Sequence, residues 1–373
     1  MASKILYIGP DAGTCRQRRC ALERLGNLVT HCDPRMALPA NVWAERWLVK
    51  TGALGAAAIV ERRILADAGA TRYDLALVDG GHLVSPRLVR RLKERADQVI
   101  LVNLDNPYVP RDGAKWRLLR KAAVEYDLCV VNRRSTAEAA LRSGARKVMQ
   151  TDFAADEVVH RPRALTEEER ARFTSDVVFV GTWMPERGPF LATLVARGVP
   201  LQIWGERWSK APEFDVLRPH YRGPALGNGD YGAALIGSTI AIGLLSEGNE
   251  DLHTTRSMET PALGVLFCGK RTVDHMAMYR EGEEAVFWSD ADECAAVCLS
   301  LLKQPGKVRA IAAAGRRRVL ANRSFNEPLM AGILDEVVRP TRNSGLVLHP
   351  TVVNRDAECG HSTATKSNAT ATV

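Results

Sequence analysis

Short apolar runs alternate with helical stretches along almost the whole chain, and this alternation most constrains the fold. The runs lack a polar residue at every second position, which is typical of strands covered on both faces. Repeated strand–helix–strand units predict parallel sheets with helices on both sides. The predicted strands cover residues 4–9, 27–32, 74–78, 98–103, 127–132 and 147–151, then 176–181, 200–205, 239–245, 265–268 and 285–288.

The alternation is interrupted once, by a polar stretch in which Thr166 and Glu169 form a capping box on a short helix. A chain of 373 residues suits two cores of about 150 residues each. We therefore predict an α/β protein with two Rossmann-like domains that face each other across a cleft. The predicted domains are residues 1–165 and 174–338, with long helices over 40–68 and 326–338, and the polar residues 340–373 are predicted to form a disordered tail.

The composition limits the compartment and the partners. The eight cysteines contain no C-x-x-C pair, which predicts buried, reduced thiols and no metal site. No apolar run reaches about 18 residues, and the N-terminal run is too short for a signal peptide, so we expect a cytoplasmic protein without a transmembrane segment. The net charge of +8 favours acidic partners such as nucleotides, anionic polymers or membrane surfaces. No basic run with interleaved aromatic residues indicates specific nucleic-acid binding.

The stretch that begins with Arg256-Ser257-Met258-Glu259 is the clearest candidate site. Its pattern predicts the first turns of a helix, which ends at Gly264 before a buried strand. A helix N-terminus offers free backbone N–H groups and a partial positive charge, which suit a diphosphate. Arg256 would neutralise phosphate oxygens, and Glu259 would bind ribose hydroxyls. In a protein with two α/β halves, this arrangement can hold a nucleotide sugar.

Other candidates follow strands of the second half, because ligands bind beyond the carboxyl ends of parallel strands. Gly181 permits a close backbone approach and Arg187 can reach a phosphate, or the stretch is an ordinary loop with Arg187 in solvent. Trp204, which precedes Gly205, can stack on a nucleobase, although core packing explains a tryptophan equally well, and the same holds for Trp208.

Two further residues precede the helix start. Asp251 lies eight positions before Glu259, so that one acid can face the sugar and the other the ribose. The alternative for Asp251 is a solvated acidic loop. His253 is a weaker candidate for the donor site.

The first half offers two candidates on the acceptor side. His82 follows a strand and can act as a general base towards an acceptor hydroxyl, or it is a structural histidine before the helix capped by Ser85. Asp105 is a second candidate base or acceptor ligand, with an Asx turn ahead of Pro107 as its alternative.

Several motifs resemble, in order and spacing, those of the CgeB-like glycosyltransferases, which belong with the wider GT-B glycosyltransferases. The matching motifs are residues 178–181, 203–205, 256–259 and 282–288, then Gly315 with Arg318, and Ser324-Phe325, with looser matches at Asp105, Tyr126-Asp127 and Gly144-Ala145. The resemblance covers roughly residues 4–330 and is specific in the second half.

The resemblance implies a GT-B fold, with the donor nucleotide sugar mostly in the second domain and the acceptor mostly against the first. It places Glu259 at the ribose and the helix start, including Ser257, under the diphosphate. Retaining relatives often carry Glu where this chain has Asp251. Enzymes of this kind generally need no bound metal, and Asp290-Ala291-Asp292 looks like a capped helix start and not a metal motif.

The sequence therefore predicts a metal-independent glycosyltransferase of the hexosyltransferase type. It would need no cofactor beyond a nucleoside-diphosphate sugar as co-substrate and would transfer the sugar to a hydroxyl of an unknown glycan, protein or small molecule. The alternatives are a sugar epimerase of the same fold and a non-catalytic protein that binds nucleotide sugars or has a structural role.

Overall fold

Two parallel sheets form the two halves of the chain. The computed structural model describes residues 2–339, apart from Ala40 and Leu54, and residues 345–349. The strands are β1 (Lys4–Ile8), β2 (Leu28–Cys32), β3 (Tyr73–Asp79), β4 (Ala96–Val102), β5 (Leu128–Val131), β6 (Lys147–Gln150), β7 (Ser175–Val180), β8 (Leu201–Trp204), β9 (Tyr221–Gly223), β10 (Ser238–Gly243), β11 (Leu266–Lys270), β12 (Val286–Trp288) and β13 (Gly345–Leu348).

Helices connect most successive strands, because parallel neighbours need a crossover connection. The helices are α1 (Gly13–Arg24), α2 (Val42–Thr51), α3 (Ala57–Asp67), α4 (Pro86–Lys93), α5 (Arg117–Ala122), α6 (Arg134–Arg142), α7 (Glu167–Phe173), α8 (Arg187–Ala196), α9 (Phe214–Leu217), α10 (Asn228–Ile236), α11 (Arg256–Ala262), α12 (Val273–Met278), α13 (Ala291–Leu302), α14 (Pro305–Ala321) and α15 (Asn326–Val338).

The order of the strands sets the position of the cleft. The first sheet runs β13-β6-β5-β4-β3-β1-β2 and the second β12-β11-β10-β7-β8-β9, and every registered neighbour is parallel. The strand order reverses beside β1 in the first sheet and beside β7 in the second. A crevice opens beyond the carboxyl ends of the strands at such a point. The loops after β1, β3, β7 and β10 therefore frame the candidate site.

The caps that the sequence predicts are present. Ser85 accepts a hydrogen bond from Leu88 N at the start of α4, and Asp290 accepts one from Glu293 N at the start of α13. Thr166 and Glu169 form the capping box at the start of α7. These caps confirm the predicted helix starts, including the interpretation of Asp290 as a cap.

The single long helix predicted over residues 40–68 is wrong, because the chain breaks into α2 and α3. Gly52 ends α2 in the left-handed conformation, with φ 63°, and its N–H donates to Leu48 O. A side chain at this position would overlap the carbonyl oxygen of Ala114. Tertiary packing against a neighbouring loop therefore ends α2 at this point.

The predicted end of the second domain at residue 338 is also wrong. Helix α15 crosses back and packs its buried Leu329, Met330 and Ile333 into the core of the first sheet, beside Ile5 and Tyr7. The predicted disordered tail is corrected for four residues, since β13 pairs in parallel with β6. Residues 340–344 and 350–373 lie outside the described part of the chain.

Candidate functional site

Arg187, the first residue of α8, lies buried at the carboxyl edge of the second sheet. Its guanidinium donates to the carbonyl oxygens of Thr182 at 2.8 Å, Leu244 at 3.3 Å and Leu245 at 3.2 Å, while its Nε has no partner. These bonds tie the loop after β7 to the loop after β10. Burial lowers the pKa of Arg187 to about 10, which still leaves it charged at neutral pH. The alternative of Arg187 in solvent is therefore wrong.

Three arginines bring positive charge to this edge. The charges of Arg256 and Arg111 contribute to the lowered pKa of Arg187, after burial and the opposing charge of Glu186. Arg256 begins α11 with its guanidinium 5.1 Å from the centre of the Tyr231 ring. Arg111 belongs to the first domain and donates to Ser246 Oγ of the second domain at 3.3 Å. Neither Arg187 nor Arg256 forms an ion pair with a carboxylate of the described residues, so this region can attract an anion.

Glu259 presents one carboxylate oxygen that is still able to accept a hydrogen bond. Its Oε2 accepts from the Tyr231 hydroxyl at 2.5 Å. Its Oε1 lies 3.7 Å from His160 Nε2, beyond hydrogen-bond length. Because His160 Nδ1 accepts from Asp156 N, Nε2 carries the proton and points towards Glu259. The carboxylate is thus oriented by two side chains, although it is only 5% exposed.

Ser257 does not turn its hydroxyl to a ligand. The side chain is fully buried, accepts from Thr254 N at 3.1 Å and donates to His275 Nε2 at 2.7 Å. His275 Nδ1 donates to Lys270 O at 2.6 Å, which fixes this tautomer. The Ser257 hydroxyl therefore anchors the start of α11 to α12, and the place of this helix start under the diphosphate stays a prediction.

Asp251 is not part of a solvated loop. Its side chain is 8% exposed and forms an ion pair with Arg133 of the first domain. The same carboxylate accepts from Asn249 Nδ2 at 2.9 Å and from Ser246 N at 3.3 Å. A carboxylate occupied in this way joins the two domains. Its predicted role opposite the sugar stays a prediction.

His253 also lies at the junction of the domains. Its Nδ1 is 2.7 Å from Asp274 Oδ2, and its Nε2 accepts from Phe153 N at 3.4 Å. The ring is 2% exposed and packs edge-on against Phe153. Both ring nitrogens are thus occupied by protein atoms, which corrects its predicted contact with the donor.

Trp204 and Gly205 serve packing. Trp204 is 5% exposed and packs on Phe173, with the Arg172 guanidinium over its ring, so it does not offer a face to a nucleobase. Gly205 has φ 149°, and a side chain there would overlap the carbonyl oxygen of Gly181. Gly181 N–H in turn donates to Trp204 O at 2.8 Å. The two glycines allow the loops after β7 and β8 to touch, and Trp208 Nε1 donates to Gly181 O at 3.0 Å.

The two acceptor-side candidates follow the neighbouring strands β3 and β4. His82 follows β3, has its ring edge-on to Trp116 at 6.0 Å, and forms no hydrogen bond with the described residues. Burial, then the charges of Lys115 and Arg35, lower its pKa to about 4, which makes it a weak base. Asp105 follows β4, is 45% exposed and lies 3.7 Å from Arg111. Its N–H donates to Asn103 Oδ1, so an Asx-type turn is present as well.

The sequence did not single out Arg111, Tyr231 or His160. Tyr231 is 28 positions from Glu259, and Arg111 is 135 positions from Ser246. No local motif marks contacts over such separations. Only the meeting of α10 with α11, and of the two domains, brings these side chains to the site.

A cluster of thiols is the one group of described residues that could hold a metal ion. The Sγ atoms of Cys268, Cys294 and Cys298 lie within 4.8 Å of one another, and all three residues are buried. Hydrogen bonds with the other two thiols, then burial, raise the pKa of Cys268, whereas hydrogen bonds with Cys268 and Cys294 lower the pKa of Cys298 to about 5. All three residues belong to the apolar core of the second domain, as predicted for buried thiols, and the absence of a metal site stays a prediction.

The fold is that of known sugar-transferring enzymes. The sequence model of a family described as glycosyl transferase-like matches residues 187–330. Sucrose-phosphate synthase from Thermosynechococcus elongatus superposes with a TM-score of 0.65 at 13% identity, over 91% of this chain and 100% of that one. Anabaena Alr3699/HepE, solved in complex with UDP-glucose, gives 0.61 at 14% identity, over 90% and 100%. A UDP-forming trehalose-phosphate synthase from Burkholderia xenovorans gives 0.60 at 10% identity, over 91% and 99%.

These likenesses confirm the predicted fold class: the chain has the GT-B glycosyltransferase fold, with two Rossmann-like domains. No curated protein matches the sequence, and the CgeB-like subtype stays a prediction. None of the described helices is long and apolar enough to cross a bilayer.

Proposed function

We propose that this protein is a glycosyltransferase that moves a sugar from a nucleoside-diphosphate sugar to an acceptor hydroxyl. The observation that carries the proposal is that Arg187 and Arg256, which act on each other electrostatically, form no ion pair with a described carboxylate, while Arg256 lies on the same helix turn as Glu259. A nucleoside diphosphate fits this arrangement, because its phosphates can bind the arginines and its ribose hydroxyls can bind Glu259. The GT-B fold and the match of residues 187–330 to a glycosyl transferase-like family support the same reaction.

The leaving diphosphate would be stabilised by protein groups alone. A nucleoside diphosphate develops negative charge as the sugar departs, and fixed cations at that position lower the barrier. Arg256 and Arg187 supply those cations from the second domain, whereas Arg111 of the first domain is already paired with Asp112 at 2.9 Å. We therefore propose a metal-independent reaction with no cofactor other than the co-substrate.

Asp105 is the better candidate for the acceptor side. It is half-exposed, lies next to Arg111, and its neighbour Asn106 contacts Asn249 of the second domain through a 3.1 Å hydrogen bond. His82 has a pKa of about 4 because of burial. An imidazole with such a pKa is a weak general base at neutral pH.

The resemblance in the second half leads us to propose a CgeB-like enzyme that transfers a hexose. The described cysteines are free, which suits a reducing compartment such as the cytoplasm.

The test is thermal stability against a panel of nucleoside diphosphates and nucleotide sugars. At a ligand concentration of 100 times Kd, binding should stabilise the folded protein by about 2.7 kcal/mol. Glu259→Gln removes a charged acceptor from the ribose position and Arg256→Gln removes a cation, so each should lose most of that stabilisation. Glu168→Gln, in the linker helix, is the matched control and should behave as wild type.

Product analysis separates the alternatives. A transferase releases nucleoside diphosphate only when an acceptor hydroxyl is present, apart from slow hydrolysis. An epimerase converts the donor sugar without any acceptor, and a non-catalytic protein is stabilised but forms no product. Stabilisation that is unchanged in both the Glu259 and Arg256 variants would refute the proposed donor site.

A further inference from the structure

Helix α2 presents two tryptophans to solvent. Trp43 is 75% exposed and Trp47 is 38% exposed, and Met36 just before the helix is 67% exposed. Exposed tryptophans on one face of a helix mark a surface that contacts something else. The opposite side of α2 is anchored, because Leu48 is buried in the core of the first domain.

Cations alternate with the tryptophans on the same face. Trp43, Arg46, Trp47 and Lys50 have the spacing of neighbours along one side of a helix. The Arg46 guanidinium lies 5.4 Å from the centre of the Trp43 ring. Neither Arg46 nor Lys50 forms an ion pair with a carboxylate of the described residues. We call this set of four residues the α2 face.

The helix is a formed element and not a fraying segment. Asn41 caps its start by accepting a hydrogen bond from Ala44 N at 2.9 Å, and Gly52 ends it in the left-handed conformation. The loop that follows the short 3-10 turn at residues 110–112 holds the end of α2, because Ala114 N donates a hydrogen bond to Val49 O at 3.0 Å. The α2 face is therefore presented in a fixed orientation.

We propose that the α2 face binds the surface of an anionic lipid bilayer. Tryptophan rings prefer the headgroup level of a membrane, where one side is apolar and the other is wet. Lysine and arginine next to them attract anionic headgroups. The net charge of +8 for the whole chain adds to this attraction. A protein partner of either charge could bury the tryptophans, but Arg46 and Lys50, which form no ion pair with a described carboxylate, favour a negatively charged surface.

This inference goes beyond the proposed function and does not depend on it. The loop that holds the end of α2 also carries Trp116, whose ring lies edge-on to His82 at 6.0 Å. Docking through α2 would therefore bring the lipid close to the first-domain side of the cleft. An acceptor at a membrane surface would be within reach there.

The test is co-sedimentation of the full chain with vesicles. One set contains phosphatidylcholine alone, and the other contains phosphatidylcholine and phosphatidylglycerol in equal parts. We expect binding to the anionic set that falls with salt. Trp43→Ser should weaken it about tenfold or more, because its apolar surface no longer enters the interface. Leu320→Ser, at an exposed apolar position on α14, is the matched control and should bind as wild type.

Charge reversal separates the α2 face from the overall charge. Arg46→Glu with Lys50→Glu should weaken anionic binding by about fivefold or more for each cation removed. Lys303→Glu with Lys307→Glu changes the net charge by the same amount at exposed positions of the second domain and should have a much smaller effect. These substitutions are at exposed positions, so each variant should fold, and circular dichroism checks this.

Three results would overturn the proposal. Equal binding to both vesicle sets would show that anionic headgroups do not attract the protein. Equal weakening by the two double charge reversals would show that the α2 face is not the binding surface. Absence of binding to the anionic vesicles would by itself refute the proposal, and a dimer in analytical ultracentrifugation that Trp43→Ser dissociates would then show that a second copy covers this face.

Discussion

At the scale of single residues, a chain of hydrogen bonds holds the start of α11. It runs from Thr254 N through Ser257 Oγ to His275 Nε2, and from His275 Nδ1 to Lys270 O. The chain needs a neutral imidazole, because Nε2 must accept the proton of Ser257. Burial lowers the pKa of His275 to about 4. The helix start beneath the proposed diphosphate is thus coupled to the protonation of one histidine.

The free energy of unfolding should therefore decrease as the pH is lowered through a defined window. An unfolded histidine binds a proton near pH 6.5, whereas folded His275 does so only near 4. Its contribution is complete above pH 6.5 and is lost as the pH falls towards 4, by up to about 3 kcal/mol. Denaturant unfolding of wild type and His275→Gln at several pH values should show a deficit of the variant that shrinks over this window. A deficit independent of pH would contradict the assignment.

Gly205 should tolerate no side chain. Its φ is 149°, and an added Cβ would overlap the carbonyl oxygen of Gly181. Gly205→Ala should therefore lower the free energy of unfolding by about 3 kcal/mol or more. Gly227→Ala is the control, since φ is −120° there and a side chain meets nothing. Thermal unfolding of both variants measures the difference, and an equal effect of the two substitutions would show that the loop contact is not tight.

At the scale of elements, α15 belongs to the domain that it packs on and not to the one that precedes it in sequence. Its buried residues share a core with β1 and β3, while α14 packs against α11 of the second domain. Ion pairs of Arg24 with Glu327 and Asp156 fix this crossing. The last helix therefore closes the first domain.

Met330→Ala should destabilise the first domain by about 2–5 kcal/mol, because it leaves a cavity at a fully buried position. Val338→Ala, on the same helix at 70% exposure, should have little effect. Hydrogen exchange of the amides of β1 and β3 reports the change. Faster exchange confined to the second sheet would instead support a domain boundary at residue 338.

At the scale of the whole molecule, polar contacts hold the two domains together across the cleft. The buried ion pair of Arg133 with Asp251 is reinforced by hydrogen bonds of Arg133 to Leu104 O and Asn132 Oδ1. Asn106 N–H donates to Asn249 Oδ1, and His253 contacts Phe153. The proposed anion site lies beside these contacts, so domain closure and donor binding should be coupled.

Asp251→Asn should loosen this arrangement, because it leaves the buried Arg133 without its counter-charge at a cost of about 3 kcal/mol. Small-angle scattering should then show a larger radius of gyration. Asp230→Asn, which removes an exposed ion pair with Arg172, should leave the scattering unchanged. Identical curves for wild type and Asp251→Asn would mean that other contacts set the domain arrangement.

Part of the site could be read from sequence because the signals are local. The start of α11 and the positions of Arg256 and Glu259 follow from a helix pattern within a few residues. Trp204, Ser257, Asp251 and His253 were each of a suitable type for a ligand. Their side chains are turned to core or interdomain partners that lie elsewhere in the chain, and a local pattern does not reveal such partners.

The sequence by itself determined the two parallel sheets, the GT-B class and the helix starts at Ser85, Thr166 and Asp290. Apolar runs without alternation and caps within three residues are properties of short stretches, so they can be recognised without knowledge of the rest of the fold. Only the tertiary structure decided that Arg133 forms an ion pair with Asp251, 118 positions away, and that α15 packs on the first domain. These choices depend on which buried charges and apolar surfaces meet when the two domains pack, and packing is a property of the folded chain as a whole.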